Sequence, residues 1–220
     1  PVTEDMAQHV QTYVQAIRDK VEGYKLRGAT GVQLLVEQRV EHGAAIGVEG
    51  QFGTADAILL VTWPDGTSWL DVNDLKFGRG VQVDAEENEQ LMLYALGAHA
   101  AYGLVAEVTA FSMAIHQPRI GHRSEWECSK DHLFAFAERA HRLAELAQAA
   151  SLEINNPSFA DLYLSPGEKQ CRFCKAKATC PALRATVAET VFNTTPASPE
   201  EFVAASAVDL PKSVSISART

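Results

Sequence analysis

Apolar residues recur at spacings of three and four between Thr3 and about Arg27: Met6, Val10, Tyr13, Val14, Ile17 and Val21. That rhythm predicts a helix with one buried face. Gly28 and Gly31 interrupt it, and "GVQLLVEQRV" follows, made of the β-branched and aliphatic residues that suit a strand. The stretch "GQFGTADAILLVTWPDGTSWLDVNDLKF" reads as two strands joined by a Pro-Asp-Gly turn, because Pro64 fixes φ and Gly66 accepts a positive one. Antiparallel pairing then brings Asp56, early on the first strand, towards Asp74, late on the second.

After Gly78 and Gly80, "DAEENEQLMLYALGAHAAYG" is acidic in its first turn and helix-forming thereafter, and "VAEVTAFSMAIHQP" returns to strand character. Ser129 is placed to cap a long helix through Ala150, with Leu133, Phe134, Ala137, Ala140, Ala144 and Ala147 on its buried side. The region "NNPSFADLYLSPGEKQCRFCKAKATCPAL" is turn-rich. Beyond it, Ser198 as cap, Pro199 in the first turn and Glu201 at the capping-box position predict one more short helix before the tail "VDLPKSVSISART". The order helix, strands, helix, strand, helix is that of a mixed α/β fold, with no internal repeat and no low-complexity block.

A chain of 220 residues, 46% of them hydrophobic, can bury one sizeable core. The net charge of −9 excludes a generally basic surface, so any contact with DNA must be local or assisted by a cation. No run approaches the roughly 18 to 20 apolar residues that span a bilayer, and "PVTEDMAQHV" carries no signal segment, which makes the expected location cytoplasmic. Three of the 4 cysteines crowd into "CRFCKAKATC", a pattern expected of a metal or cluster rather than of disulfides.

The string "DVNDLKFG" places an acid and a base on one strand face, since side chains two apart point the same way: Asp74 beside Lys76, with Leu75 turned into the other layer. If Asp56 reaches the same spot, two carboxylates and one ammonium converge. Two carboxylates repel in a low-dielectric pocket unless a cation lies between them, and Mg²⁺ or Mn²⁺ answers that need while leaving positions for waters and phosphate oxygens. A cross-strand ion pair at a sheet edge is the competing account of the same residues. Glu37, on the preceding strand, is a further candidate acid or else a solvated strand residue; Arg119, after "MAIHQP", is a candidate phosphate contact or else a surface arginine. Gln90 and Tyr94 lie four apart on one helical face.

"GTADA", then "DVNDLKFG", then "QLMLY" resemble the ordered motifs of the PD-(D/E)XK nuclease superfamily, in its RecB-like exonuclease branch. The fuller string "DLKFGRGVQVDAEENEQLMLYALGA" is similar to a phage-associated exonuclease family within that branch. The resemblance covers about half of the chain. It implies a restriction-endonuclease-like core with a mixed central sheet flanked by helices. It implies Asp56 and Asp74 as metal ligands with the Leu75 carbonyl, Lys76 as the catalytic lysine, and Gln90 and Tyr94 as DNA contacts. The implied activity is metal-dependent DNA hydrolysis in phage or recombination DNA processing, in a bacterial or phage-infected cell, with recombination or phage replication proteins as partners. A non-catalytic DNA-binding or assembly module on the same fold is the alternative.

Cys171, Cys174 and Cys180 form C-x2-C-x5-C, a spacing that lets thiolates converge on one centre. In the resembled branch such a triplet, with a distant N-terminal cysteine, surrounds a 4Fe-4S cluster that staples the end of the domain to its start; zinc is the alternative. Here no cysteine precedes the first strand, and Cys128 is the remaining candidate for a fourth ligand. The resembled family also carries an earlier helix bearing His or Glu, so the expectation is a sequence lacking its natural N-terminus. His9 is set aside as a substitute, because it sits on the helix that follows. The expected organisation is a nuclease core over 1–165, a cysteine segment over 166–190, and a short helix and tail over 191–220.

Overall fold

The expected hairpin forms. In this computed structural model, which describes residues 2–192 and gives only the backbone of 191 and 192, β2 (Phe52–Thr62) pairs antiparallel with β3 (Thr67–Leu75) in the register Ala57↔Asn73 to Thr62↔Ser68. Its turn closes by Trp63 N–H donating to the Thr67 carbonyl at 2.9 Å, with Gly66 at φ 87° as the Pro-Asp-Gly signal requires. The helix expected around Ser198, Pro199 and Glu201, and the tail after it, lie outside the described residues.

β1 (Gly31–Glu41) adds antiparallel to β2, β4 (Glu107–Gln117) adds parallel to β3, and β5 (His122–Ser129) closes the edge antiparallel to β4. The sheet is five-stranded and mixed, ordered β1-β2-β3-β4-β5. The parallel β3–β4 pair needs a crossover, and α3 (Glu89–Tyr102) supplies it. Asn88 caps α3 by accepting the Leu91 N–H at 3.2 Å, so the helix starts after the acidic stretch rather than within it.

The two faces of the sheet carry separate cores. Ile58, Leu70, Val72, Phe111 and Met113 meet Leu91, Met92 and Ala95 of α3 and Leu133 and Phe136 of α4 (Lys130–Leu152). On the other face Ala57, Leu59 and Val61 meet Ile17 and Tyr24 of α1 (Glu4–Leu26), with Tyr13 and Val21 packed alongside. Met6 and Val10, expected on the buried stripe of α1, are exposed at 36% and 41%, because this core begins only at Tyr13. Ser129 does cap α4, accepting the His132 N–H at 3.2 Å. The helix buries Phe136 where Phe134 was expected, and Ala147 is exposed, because the inward stripe runs 133, 136, 137, 140. The strand β5 escaped the sequence reading: it is an edge with only Trp126 and Cys128 turned to the core.

Close packing divides the chain into two units, Pro1–Leu146 and Ala147–Thr220. Within the second, α5 (Phe159–Tyr163), α6 (Glu168–Cys171) and α7 (Pro181–Phe192) are joined by turns, and α5 packs on α7. Between α6 and α7 lie a short 3₁₀-like succession of bonds, Cys174 N–H to the Cys171 carbonyl at 3.4 Å and Lys177 N–H to the Cys174 carbonyl at 3.2 Å. Among the described residues no helix is long and apolar enough to cross a membrane.

Candidate active site

Where the β2–β3 ladder ends, the hairpin opens into a cluster of polar side chains. Ala57↔Asn73 is its last pair, so Asp56 and Asp74 are the next facing positions. There the Asp56 side chain takes over from the backbone: its Oδ2 accepts the Leu75 N–H at 2.6 Å. Asp74 is 5% exposed, and its Oδ1 accepts from Gln90 Nε2 at 3.2 Å. Gln90 extends the cluster, accepting from Lys76 Nζ at 2.6 Å through Oε1 and donating to Tyr94 Oη at 2.9 Å. Asp74, Lys76, Gln90 and Tyr94 thus form one connected group, as the spacing of strand and helix residues predicts.

A glycine three residues before Asp56 now has a reason. The Tyr94 ring lies against Gly53, and a Cβ there would collide with Tyr94 Cε1. Only glycine lets α3 come close enough for Tyr94 and Gln90 to reach the strand ends.

The cluster is not balanced in charge. Lys76 Nζ stands 3.0 Å from Asp74 Oδ2, an ion pair without hydrogen-bond alignment, so this buried oxygen accepts no hydrogen bond. Burial, aided by the negative charge of Asp56, pushes the Asp74 carboxyl above the usual carboxylate range; Lys76, by contact and by charge, pulls it back only in part. A buried carboxylate oxygen with an unused lone pair, next to a second carboxylate, is a place for a cation.

Among the described residues no three His, Cys, Asp or Glu side chains form a group that could hold a metal. Asp56 and Asp74 are the two carboxylates at this strand end that could hold a cation such as Mg²⁺ or Mn²⁺, with waters and phosphate oxygens completing its shell. Glu37 is exposed, at φ 52°, in the one gap of the β1–β2 register, between Val36↔Ala57 and Gln38↔Ala55 and opposite Asp56. A left-handed non-glycine backbone costs about 1 to 3 kcal/mol and turns this strand residue out of the ladder. Arg119 lies in the 3₁₀ turn Pro118–Ile120, its guanidinium 5.2 Å over the ring of Phe77, and its Nε is buried with no hydrogen-bond partner. His9, 26% exposed, pairs with Asp5 at 3.4 Å and lies edge-on to the same Phe77.

Tyr13 was counted in the sequence only as part of an apolar stripe. Its hydroxyl is buried with no hydrogen-bond partner, and burial followed by the charges of Asp56, Asp74 and Glu37 raises its pKa. The phenol therefore feels the charge of the acidic cluster. Its ring meets the edge of His116 at 5.1 Å, and the His116 carbonyl accepts the Lys76 N–H at 2.9 Å. No spacing rule separates such a tyrosine from a core tyrosine.

Cys171, Cys174 and Cys180 sit in the turns of the second unit, Cys174 exposed and the others half-buried, and their thiols do not form a metal-holding group there. Cys128, on β5, packs against the larger core of the first unit, where burial and the charge of Glu87 push its thiol up to about 11. It behaves as a small apolar residue rather than as a ready thiolate.

Among solved structures, the crystal structure of SSO0001 is similar at 16% identity, over 78% of this chain and 68% of that one, with a TM-score of 0.27, too low to carry an argument about fold or chemistry. A family model described as "Protein of unknown function (DUF2800)" matches residues 1–212, and the chain belongs to that family.

Proposed function

We propose that the chain is a metal-dependent deoxyribonuclease, an exonuclease with a restriction-endonuclease-like core, acting on DNA in phage or recombination processing. The observation that carries this reading is the buried Oδ2 of Asp74, which has no hydrogen bond, stands 3.0 Å from the Lys76 ammonium and feels the negative charge of Asp56. The resemblance of the Asp56, Asp74–Lys76 and Gln90–Tyr94 motifs to RecB-like nucleases supplies the substrate class.

Asp56 and Asp74, with the Leu75 carbonyl, would hold Mg²⁺ or Mn²⁺, which when bound lowers the pKa of a water and shields charge growing on the phosphate. Lys76 donates to the attacking water or to a phosphate oxygen and so fixes the line of attack. The water oxygen bonds to phosphorus as the water gives up a proton to solvent, the P–O ester bond breaks, and its electron pair leaves on the sugar oxygen, which takes a proton back from solvent. Gln90 holds the Lys76 ammonium by Oε1 and Asp74 by Nε2, so it positions both. Arg119, whose guanidinium lies over the Phe77 ring, would meet a strand phosphate in this reading. A 4Fe-4S cluster or zinc at Cys171, Cys174 and Cys180 takes no part in hydrolysis in this reading; absorbance near 400 nm against a zinc-only metal content tells the two apart.

The test is cleavage of end-labelled DNA in Mg²⁺ or Mn²⁺. Wild type should cut, and Asp74→Ala and Lys76→Ala should each lose on the order of a hundredfold or more, as removal of a charge-stabilising group does. Equal, metal-independent activity in all three overturns this assignment of the site, and binding without cleavage by wild type returns the protein to a non-catalytic DNA-binding module.

A further inference from the structure

A cavity of about 650 Å³ opens between α1 and the turn that joins β4 to β5. That size is ordinary for a small-molecule site. Its α1 wall is a single helical stripe, Gln8, Thr12 and Gln15 with Gln11 beside it, and its floor is the ring of Tyr13 and His116. Amides, a hydroxyl and an aromatic face make a surface rich in hydrogen-bonding edges. Of its basic residues Arg123 is held by Glu125 and His122 pairs with Asp84 at 3.1 Å, so no cation is free for a ligand, while the exposed Asp19 keeps its negative charge and accepts from Gln15 at 2.7 Å. Gln8 and Gln11 have no side-chain partner among the described residues.

This chemistry is wrong for a phosphate, which wants free cations, and right for a nucleobase, which has flat apolar faces and amide-like edges. The cavity also has the right address. His116, which lines it, accepts the Lys76 N–H through its carbonyl at 2.9 Å, and the buried hydroxyl of Tyr13, which lines it too, has no hydrogen-bond partner. We propose that the cavity receives an unpaired base of the DNA strand next to the scissile phosphate, stacked on Tyr13 and edge-bonded by the Gln8 and Gln11 amides. The identity of the ligand as DNA rests on the nuclease reading. A base can enter only when it is out of its duplex, so the site selects single-stranded ends.

The experiment measures binding of a fluorescent hexanucleotide to the full chain by anisotropy, in EDTA at low ionic strength, beside the same strand made wholly abasic. The phosphate charge is equal in the two, so their difference isolates the bases. The intact strand should bind about five- to a hundredfold more tightly, the range of aromatic stacking. Ala16→Trp, which fills the cavity from α1, should abolish that difference; the surface pair Gln8→Ala and Gln11→Ala should reduce it without touching the core. Equal binding of both strands by wild type, no binding of either, or an undiminished difference in all these variants overturns the proposal. A protein that shows the base-dependent difference but never cleaves sinks the nuclease reading alone, whereas one that cleaves and binds both strands equally sinks the cavity alone.

Discussion

Strand β3 carries two polar clusters on opposite faces, and they differ in one respect that separates support from chemistry. Towards α1, Asp71 is fully buried and both of its oxygens accept hydrogen bonds: Lys20 Nζ donates at 2.8 Å, Tyr24 Oη at 2.7 Å and Asn73 Nδ2 at 2.9 Å. Asn73 Oδ1 in turn accepts from Lys20 at 3.1 Å and, also at 3.1 Å, from His116 Nε2, which must carry the proton because its partner is an acceptor. Towards α3, Asp74 keeps a buried oxygen without a hydrogen bond, and its carboxyl is pushed up rather than settled. A closed network holds two layers together; an unfilled one, in the function proposed above, is kept by the rest of the fold for a cation.

The contrast breaks most visibly at Lys20. Lys20→Met leaves the fully buried Asp71 without its cation and should cost about 3 to 5 kcal/mol in denaturant unfolding, the penalty for breaking a buried pair. A loss within the range of ordinary surface substitutions would mean that the α1-face network is no more structural than the site.

His116 gives the next largest effect, and it depends on pH. Burial, with the nearby charges of Lys20 and Arg123, lowers its folded pKa to about 4 from the ordinary 6.5. The folded protein therefore favours the neutral ring. The resulting stability is fully present above pH 6.5 and drains away as pH falls towards about 4, on the order of 3 kcal/mol across that window. His116→Gln, which keeps a donor for Asn73, should flatten that part of the stability profile; a profile as steep as that of wild type would place the acid sensitivity elsewhere.

How much of this was legible in the sequence follows from range. The hairpin, the α3 crossover and the Asp74–Lys76 pair are local patterns, set by turn chemistry and by the two-residue and four-residue repeats, and the structure joins Lys76, Gln90 and Tyr94 as those repeats predict. The Lys20–Asp71 network links residues 51 apart, and nothing in either neighbourhood signals the other. β5 was hidden because an edge strand buries only alternate residues, and here two of them, Trp126 and Cys128. Tyr13 was hidden by its own versatility: a phenol in an apolar stripe looks like core until its hydroxyl is found buried without a partner. A mixed sheet flanked by helices is what those local rules could reach; its fifth strand was beyond them.

The central claim is that Asp56 and Asp74 share a divalent ion, and thermal unfolding of wild type and Asp74→Asn, each with and without Mn²⁺, tests it most directly. Without metal, Asp74→Asn should be at least as stable as wild type, since it removes a carboxylate that burial disfavours. With Mn²⁺, wild type should gain a few degrees, about 2 to 4 °C for each kcal/mol of binding, and Asp74→Asn should gain nothing. An Asp74→Asn protein crippled without metal, or an equal Mn²⁺ response in both proteins, would contradict the account.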